Sequence, residues 1–276
     1  MALEQNLIMG LLIGAAAYIL LYLGKGFEKY AVEGFKNQKI EKTDSKGRNS
    51  GIWIIGFIFT LVFFFIQWIA LIFAPVNLIA PLEGIGLVIL VIFSYHVLNE
   101  ELSKLDILGI INIILGTILV ALFNPNQNLI QSTDFKLETF IVIASLFVGI
   151  ELFLLLISKR NNYKYAGLIA GFTAGTFIAL STVTKRITAI PNASIFLIFT
   201  ILSFVFGLMA KAFSQLAYAK GKANIVIPCF TSTSIIMAIL VGIIVLNEKV
   251  EIIQIIGITF IIGGILLLTA FKKEGL

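Results

Sequence analysis

Charge is scarce in this chain. Only 13% of its 276 residues are Asp, Glu, Lys or Arg, against about a quarter in a soluble domain. A single cysteine, Cys229, excludes an internal disulfide. With one histidine, His96, near a helix end, there is no cluster spaced as in a zinc or iron site and no Ser-His-Asp set for hydrolysis. Long polar segments are missing too, so no soluble domain is present to hold catalysis, and neither an enzyme nor a cofactor is expected. What fills the chain is apolar: 59% of the residues are hydrophobic and the mean hydropathy is +1.04. Runs long enough to cross ~30 Å of hydrocarbon fall at 7–23, 52–73, 76–98, 105–123, 140–157, 165–183, 195–218, 225–246 and 252–271. The expectation is an all-α integral membrane protein of nine transmembrane helices, in one domain spanning 1–276.

The net charge of +5 is not read as a nucleic-acid signal, because the basic residues sit beside helix ends. With the N-terminus outside, fifteen of the twenty Lys and Arg fall in cytoplasmic loops and the C-terminal tail. Lys136, Lys185, Arg186 and Lys249 fall outside, and Lys211 lies within helix seven. That bias predicts a multi-pass protein of the cell membrane with a cytoplasmic C-terminus. "MALEQNLIMG" lacks a basic n-region, so the first helix reads as an uncleaved span. The polar stretch "KNQKIEKTDSKGRNSG" reads as a solvated cytoplasmic loop near anionic lipid headgroups.

Laid on itself, the chain repeats. "VLNEELSKLDILGIINIILGTILVALF" matches "VLNEKVEIIQIIGITFIIGGILLLTAF" without a gap, placing Gly109 on Gly257 and Gly116 on Gly264. Upstream, with one inserted residue, Gln67 falls on Gln215, Asn77 on Asn224 and Pro81 on Pro228. Helix one follows at a constant offset: Gly10, Gly14 and Lys29 fall on Gly167, Gly171 and Arg186. Two four-helix units result, about 7–123 and 164–271. The single helix between them, about 138–158, turns the second unit over, so the expected arrangement is an inverted 4+1+4 repeat. Inverted units have two packings of similar energy, each open to one side, with solute held between them. This points to a transporter.

Polar groups inside hydrocarbon face a cavity or a partner. The candidates for a substrate pathway are Glu83, Gln67, Gln215, Asn77, Asn224, Thr231 and Ser234, with Pro81 and Pro228 as points where a helix could break and expose carbonyls. Glu83 is the one candidate metal ligand, since a carboxylate at that depth must be protonated or paired with a cation. Glu151 and Lys211 are expected at similar depth and read as a pair. The Asn-Glu pairs at 99–100 and 247–248 read as a stop for one helix and a cap for the next.

"FAPVNLIAPLEGIGLVILVIFSYHVLNEEL" resembles the most recognisable segment of the NIPA-type magnesium transporters, a branch of the drug/metabolite transporter superfamily. Its pattern is met here by Phe73, Ala74, Pro75, Leu78, Pro81, Leu82, Ser94, Leu98, Asn99, Glu100 and Leu102, and "GIWIIG" is similar to the entry to the family's second helix. The resemblance implies a DMT/EamA-like fold and Mg2+ as the leading solute; Glu83, singled out by its depth rather than by the resemblance, is expected to meet that ion through retained waters, since hard Mg2+ needs few carboxylates. Where the family has a helix-two glutamate and asparagine this chain has Phe64 and Gln67, and Glu83 stands at a family glycine. The transport expectation is therefore a small cation moved by alternating access. An exporter of a small organic metabolite stands as the alternative, marked by a cavity lined chiefly by Phe, Tyr and Trp. A non-transporting partner or sensor is the second. Expected partners are Mg2+ or another small solute and membrane lipid, with a homodimer admissible and nucleic acid excluded.

Overall fold

A computed structural model describes residues 2–41, 46–97, 102–123, 135–160, 166–189, 193–220 and 223–269. It is built from helices: α1 (Ala2–Glu41), α2 (Lys46–Phe73), α3 (Val76–Ile79), a 3-10 turn (Ala80–Leu82), α4 (Glu83–Val97), α5 (Lys104–Leu122), α6 (Leu137–Arg160), α7 (Ala166–Ile187), α8 (Ala193–Lys220), α9 (Ala223–Leu246) and α10 (Ile252–Thr269). Among the described residues eight spans are long and apolar enough to cross a membrane, counting α3, the turn and α4 as one, and the Ile252–Leu268 segment of α10 is a shorter apolar helix. The protein is thus all-helical and multi-pass.

Two expectations about local structure change. The polar stretch between the first two spans is mostly helix rather than loop, since α1 runs on to Glu41 and α2 already begins at Lys46. Lys and Glu are good helix formers, and there the chain simply continues past its apolar part, which ends near Glu28. The helix break foreseen at both prolines occurs at only one. Pro81 sits in the 3-10 turn, whereas α9 is continuous through Pro228, whose side chain lies outside those described, as does that of Asn224.

The packing follows the repeat. In the first half α1 packs on α2 and α4; in the second, α7 packs on α8 and α9; α5 packs on α10. That last contact is made by the repeated glycines. A Cβ on Gly109 would meet the Gly264 carbonyl oxygen at 2.9 Å, and one on Gly257 would meet that of Gly116 at 2.7 Å. Exchanging each glycine for its repeat partner turns the first contact into the second, which is what a two-fold relation requires of two antiparallel helices. Glycine is needed because backbone meets backbone there, the close approach that small residues allow in membranes. Around this frame α7 and the α3–α4 span are mostly buried, while α6 and α8 turn most of their apolar surface outward. Outward Leu, Ile and Phe are the expected surface of a helix bathed in lipid.

Candidate functional site

Glu83 is the first residue of α4, where the preceding 3-10 turn aims it into the bundle instead of along the α3 face. It is 1% exposed. An acid in the first turn is favoured by the positive end of the helix dipole. The Tyr22 hydroxyl donates to its Oε1 at 3.2 Å and the Ser234 hydroxyl donates to its Oε2. Tyr22 also lies 3.3 Å from the Thr231 hydroxyl. Lys25 rests over the Tyr22 ring at 3.9 Å and over the Phe230 ring at 5.0 Å, and its charge reaches Glu83. One carboxylate is therefore held by α1 from the first half and α9 from the second. Three of the foreseen residues, Glu83, Thr231 and Ser234, converge here.

Gln67 forms a second polar cluster. Its amide nitrogen donates to the Tyr18 hydroxyl at 2.9 Å and to the Thr182 hydroxyl at 3.3 Å, while its oxygen accepts from Lys185 Nζ at 2.7 Å. Lys185 was placed in an outside loop by the sequence reading. It is instead 2% exposed, with its ammonium 3.6 Å from the Phe64 ring centre. The last turn of α7 folds inward against α2, and cation–π contact with one amide oxygen is what the bundle offers it. The expected partner of Gln67 is elsewhere: Gln215 is exposed and makes no contact with Gln67's cluster, but lines the cavity described below.

Near these clusters the halves are laced together by caps. Arg186 donates to the Leu71 and Ile72 carbonyls at 2.6 and 3.2 Å, closing the C-terminus of α2. Glu248 accepts from the Val76 and Asn77 backbone N–H groups at 2.8 and 2.9 Å, and the Asn77 amide donates to the Lys249 carbonyl at 2.9 Å. The cap foreseen for Glu248 is real, but it serves α3 in the other half, not the helix that follows. Asn247 does stop α9, with φ of 53°. Asn99 and Glu100 lie outside the described residues. Burial pushes the Glu248 carboxyl above its ordinary 4.5, against the opposing pull of Arg186 and the two N–H groups.

The proposed pairing of Lys211 with Glu151 is replaced. Lys211 bridges to Glu28 on α1 at 3.1 Å. Glu151 is 2% exposed and has the Thr176 hydroxyl, not Lys211, as its neighbour. Equal depth on two helices does not imply that they face each other.

A cavity of about 200 Å3 opens between α1, α2, α7 and α8. Its walls include Phe57, Phe63, Phe64, Phe65, Phe204 and Phe230, and its charged groups are Lys25, Lys185, Lys211 and Glu28. Between α2 and α8 aromatic rings pair: Phe64 stacks on Phe204 at 4.5 Å and Trp68 on Phe196 at 6.1 Å. Toward the other end of α8, Lys211 and the exposed Gln215 line the cavity with Glu28 of α1. Among the described residues no three His, Cys, Asp or Glu gather as a metal site. The Glu83 cluster, which is not part of that lining, gathers hard oxygens: the carboxylate and the hydroxyls of Tyr22, Thr231 and Ser234.

A magnesium transporter NIPA family model matches residues 7–218. The chain belongs to the NIPA magnesium transporter family. Its curated NIPA relatives include the probable magnesium transporter NIPA9 of Arabidopsis thaliana, 26% identical over 240 residues, covering 80% of this chain and 70% of that one. Probable magnesium transporters NIPA6 and NIPA7 of the same plant are 23% and 21% identical, over 48% and 63% of this chain and 43% and 57% of theirs. No solved structure matches this NIPA-family chain. Lys25, Glu28, Lys185 and Tyr22 were missed as site residues. One signal could have found two of them: the offset placing Gly10 on Gly167 places Glu28 on Lys185.

Proposed function

We propose that this protein is an alternating-access carrier of a small cation, Mg2+ foremost, built as two inverted units at about 7–123 and 164–271 around a linker helix. The observation that carries the reading is Glu83, a buried carboxylate whose donors come from both units. Relative movement of the units must make or break those bonds, so the group's affinity for a cation changes with the state of the carrier. Lys25, lying beside it, acts as a tethered cation that an arriving ion displaces.

The two ends of the cavity support alternation. The ring-packed end holds Gln67 against Lys185. By the repeat, their counterparts are Gln215 and Glu28, which lie apart from such a bond at the far end. Closing that end brings Glu28 to Gln215 as Lys185 is now brought to Gln67, while the aromatic stack at the other end parts. With the N-terminus outside, the state described faces inward.

The test is Mg2+ flux into liposomes holding purified protein. Glu83→Gln should fold, as judged by a monodisperse elution profile, and lose most of the flux, while Glu151→Gln retains more. Near-normal, pH-independent flux in Glu83→Gln overturns the reading.

A second reading has its own observation. Six phenylalanines and three lysines against one glutamate are a poor lining for a bare divalent cation and a good one for an organic solute.

A further inference from the structure

Each cation in the cavity can be assigned its partner. Lys211 is bridged to Glu28 at 3.1 Å. Lys25 lies over the ring of Tyr22, the residue that donates to Glu83. Lys185 is left over. Among the described residues its ammonium has an amide oxygen and an aromatic face but no carboxylate. A lysine inside hydrocarbon normally meets a counter-ion or reaches water; this one is 2% exposed and lines a cavity.

We propose that this cavity is a binding site for an organic monoanion carrying one aromatic ring, with its carboxylate on Lys185 and its ring among the phenylalanines of α2 and α8. The proposal goes beyond Mg2+ transport and names a second ligand of the same chain. The charge follows from the geometry of Lys185: a buried amine that lines the cavity with no carboxylate beside it among the described residues is completed by one anionic group. The carboxylate form follows from the donors, because an ammonium makes short charge-assisted bonds to carboxylate oxygens.

The size follows from the volume. A dry apolar cavity of about 150 Å3 accepts benzene, and drug-sized ligands begin near 300 Å3. At about 200 Å3 the space here fits one ring with a small acidic group. Phe63 and Phe64 flank the ammonium at 5.6 and 3.6 Å, so a ring attached to the bound carboxylate lands on aromatic faces suited to offset stacking. Gln67 is fixed by Tyr18 and Thr182 and holds Lys185 in place before the ligand enters.

The experiment is calorimetric titration of the purified full chain in detergent, without Mg2+, using benzoate, its neutral isostere benzamide, and benzylammonium. Benzoate should bind above the empty-micelle signal, benzamide at least about tenfold more weakly, and benzylammonium not at all. Lys185→Met should lose the preference for benzoate and Lys185→Arg should keep it. Equal binding of benzoate and benzamide, or no benzoate binding by the unaltered protein, overturns the proposal whether or not Lys185→Met folds. So does an unchanged preference in a folded Lys185→Met. The readouts separate the two readings, since the calorimetry contains no Mg2+ and measures no flux. Failure of the Mg2+ reading thus leaves the calorimetry untouched, and the reverse holds as well.

Discussion

Gln67 and Gln215 occupy the same place in the repeat and opposite situations in the molecule. Gln67 is buried, with its amide bonded to Tyr18, Thr182 and Lys185. Gln215 is exposed and lines the cavity. Identical side chains on related helices therefore report the conformation, not the sequence. The Gln67 neighbourhood is packed with aromatic rings and the Gln215 neighbourhood is not. On the proposed alternating-access reading, that asymmetry between equivalents reflects the state of the carrier.

The largest effect should come from fixing the ring-packed end. With Cys229 replaced by Ser, cysteines at Phe64 and Phe204, whose rings now stack at 4.5 Å, can be bridged by a short bifunctional thiol reagent. Transport in liposomes should fall to the level of empty vesicles when bridged and return with a cleavable reagent after cleavage. Full transport in the bridged protein would separate the two glutamines from any cycle.

A smaller difference should appear on removing each amide. Gln67→Leu strips the only hydrogen-bond acceptor seen at Lys185 and leaves Tyr18 and Thr182 short of a partner, which costs about 2–3 kcal/mol in a buried, charge-linked bond. Gln215→Leu should change stability by less than about 0.5 kcal/mol, the range of exposed positions. Thermal melting in detergent compares them. Equal losses would mean that the two ends are equally closed in solution.

The smallest effect concerns the cap between halves. Burial raises the Glu248 carboxyl above 4.5 in the folded protein, so the folded state binds the proton more tightly than the unfolded one. Its linkage contribution is then present below about 4.5 and is lost as pH rises through the folded value. Relative to Glu248→Gln, the unaltered protein should lose stability over that rise. A melting-temperature difference independent of pH, or growing with it, would show that the two N–H groups and Arg186 outweigh burial.

Much of the fold was legible because lipid imposes a simple rule: a span needs a long apolar run, and irregular backbone has nowhere to go within hydrocarbon. The nine runs, the repeat and its glycines can all be read from spacing. Glu83 was legible for a related reason, since an acid so deep in an apolar run is rarely idle. Lys185 was not, because a basic residue near a span end reads as a topology signal, and only the inward turn of α7 against α2 removes it from water. Lys211 stands out in the sequence as a charge within an apolar helix, but its partner does not: Glu28 is identified only by the packing that brings α1 and α8 to 3.1 Å there.

The sequence by itself determined the number of apolar helices, their pairing into related halves and the presence of carboxylates deep in apolar runs, because these depend on composition and periodicity along the chain. Tertiary structure alone decided which charges meet: Glu28 rather than Glu151 takes Lys211, Glu248 caps a helix of the other half, and Lys185 is left facing a cavity. Rotation of each helix about its own axis selects those partners. That rotation is set by how the glycine faces and aromatic rings of separate helices pack, which no single helix's sequence contains.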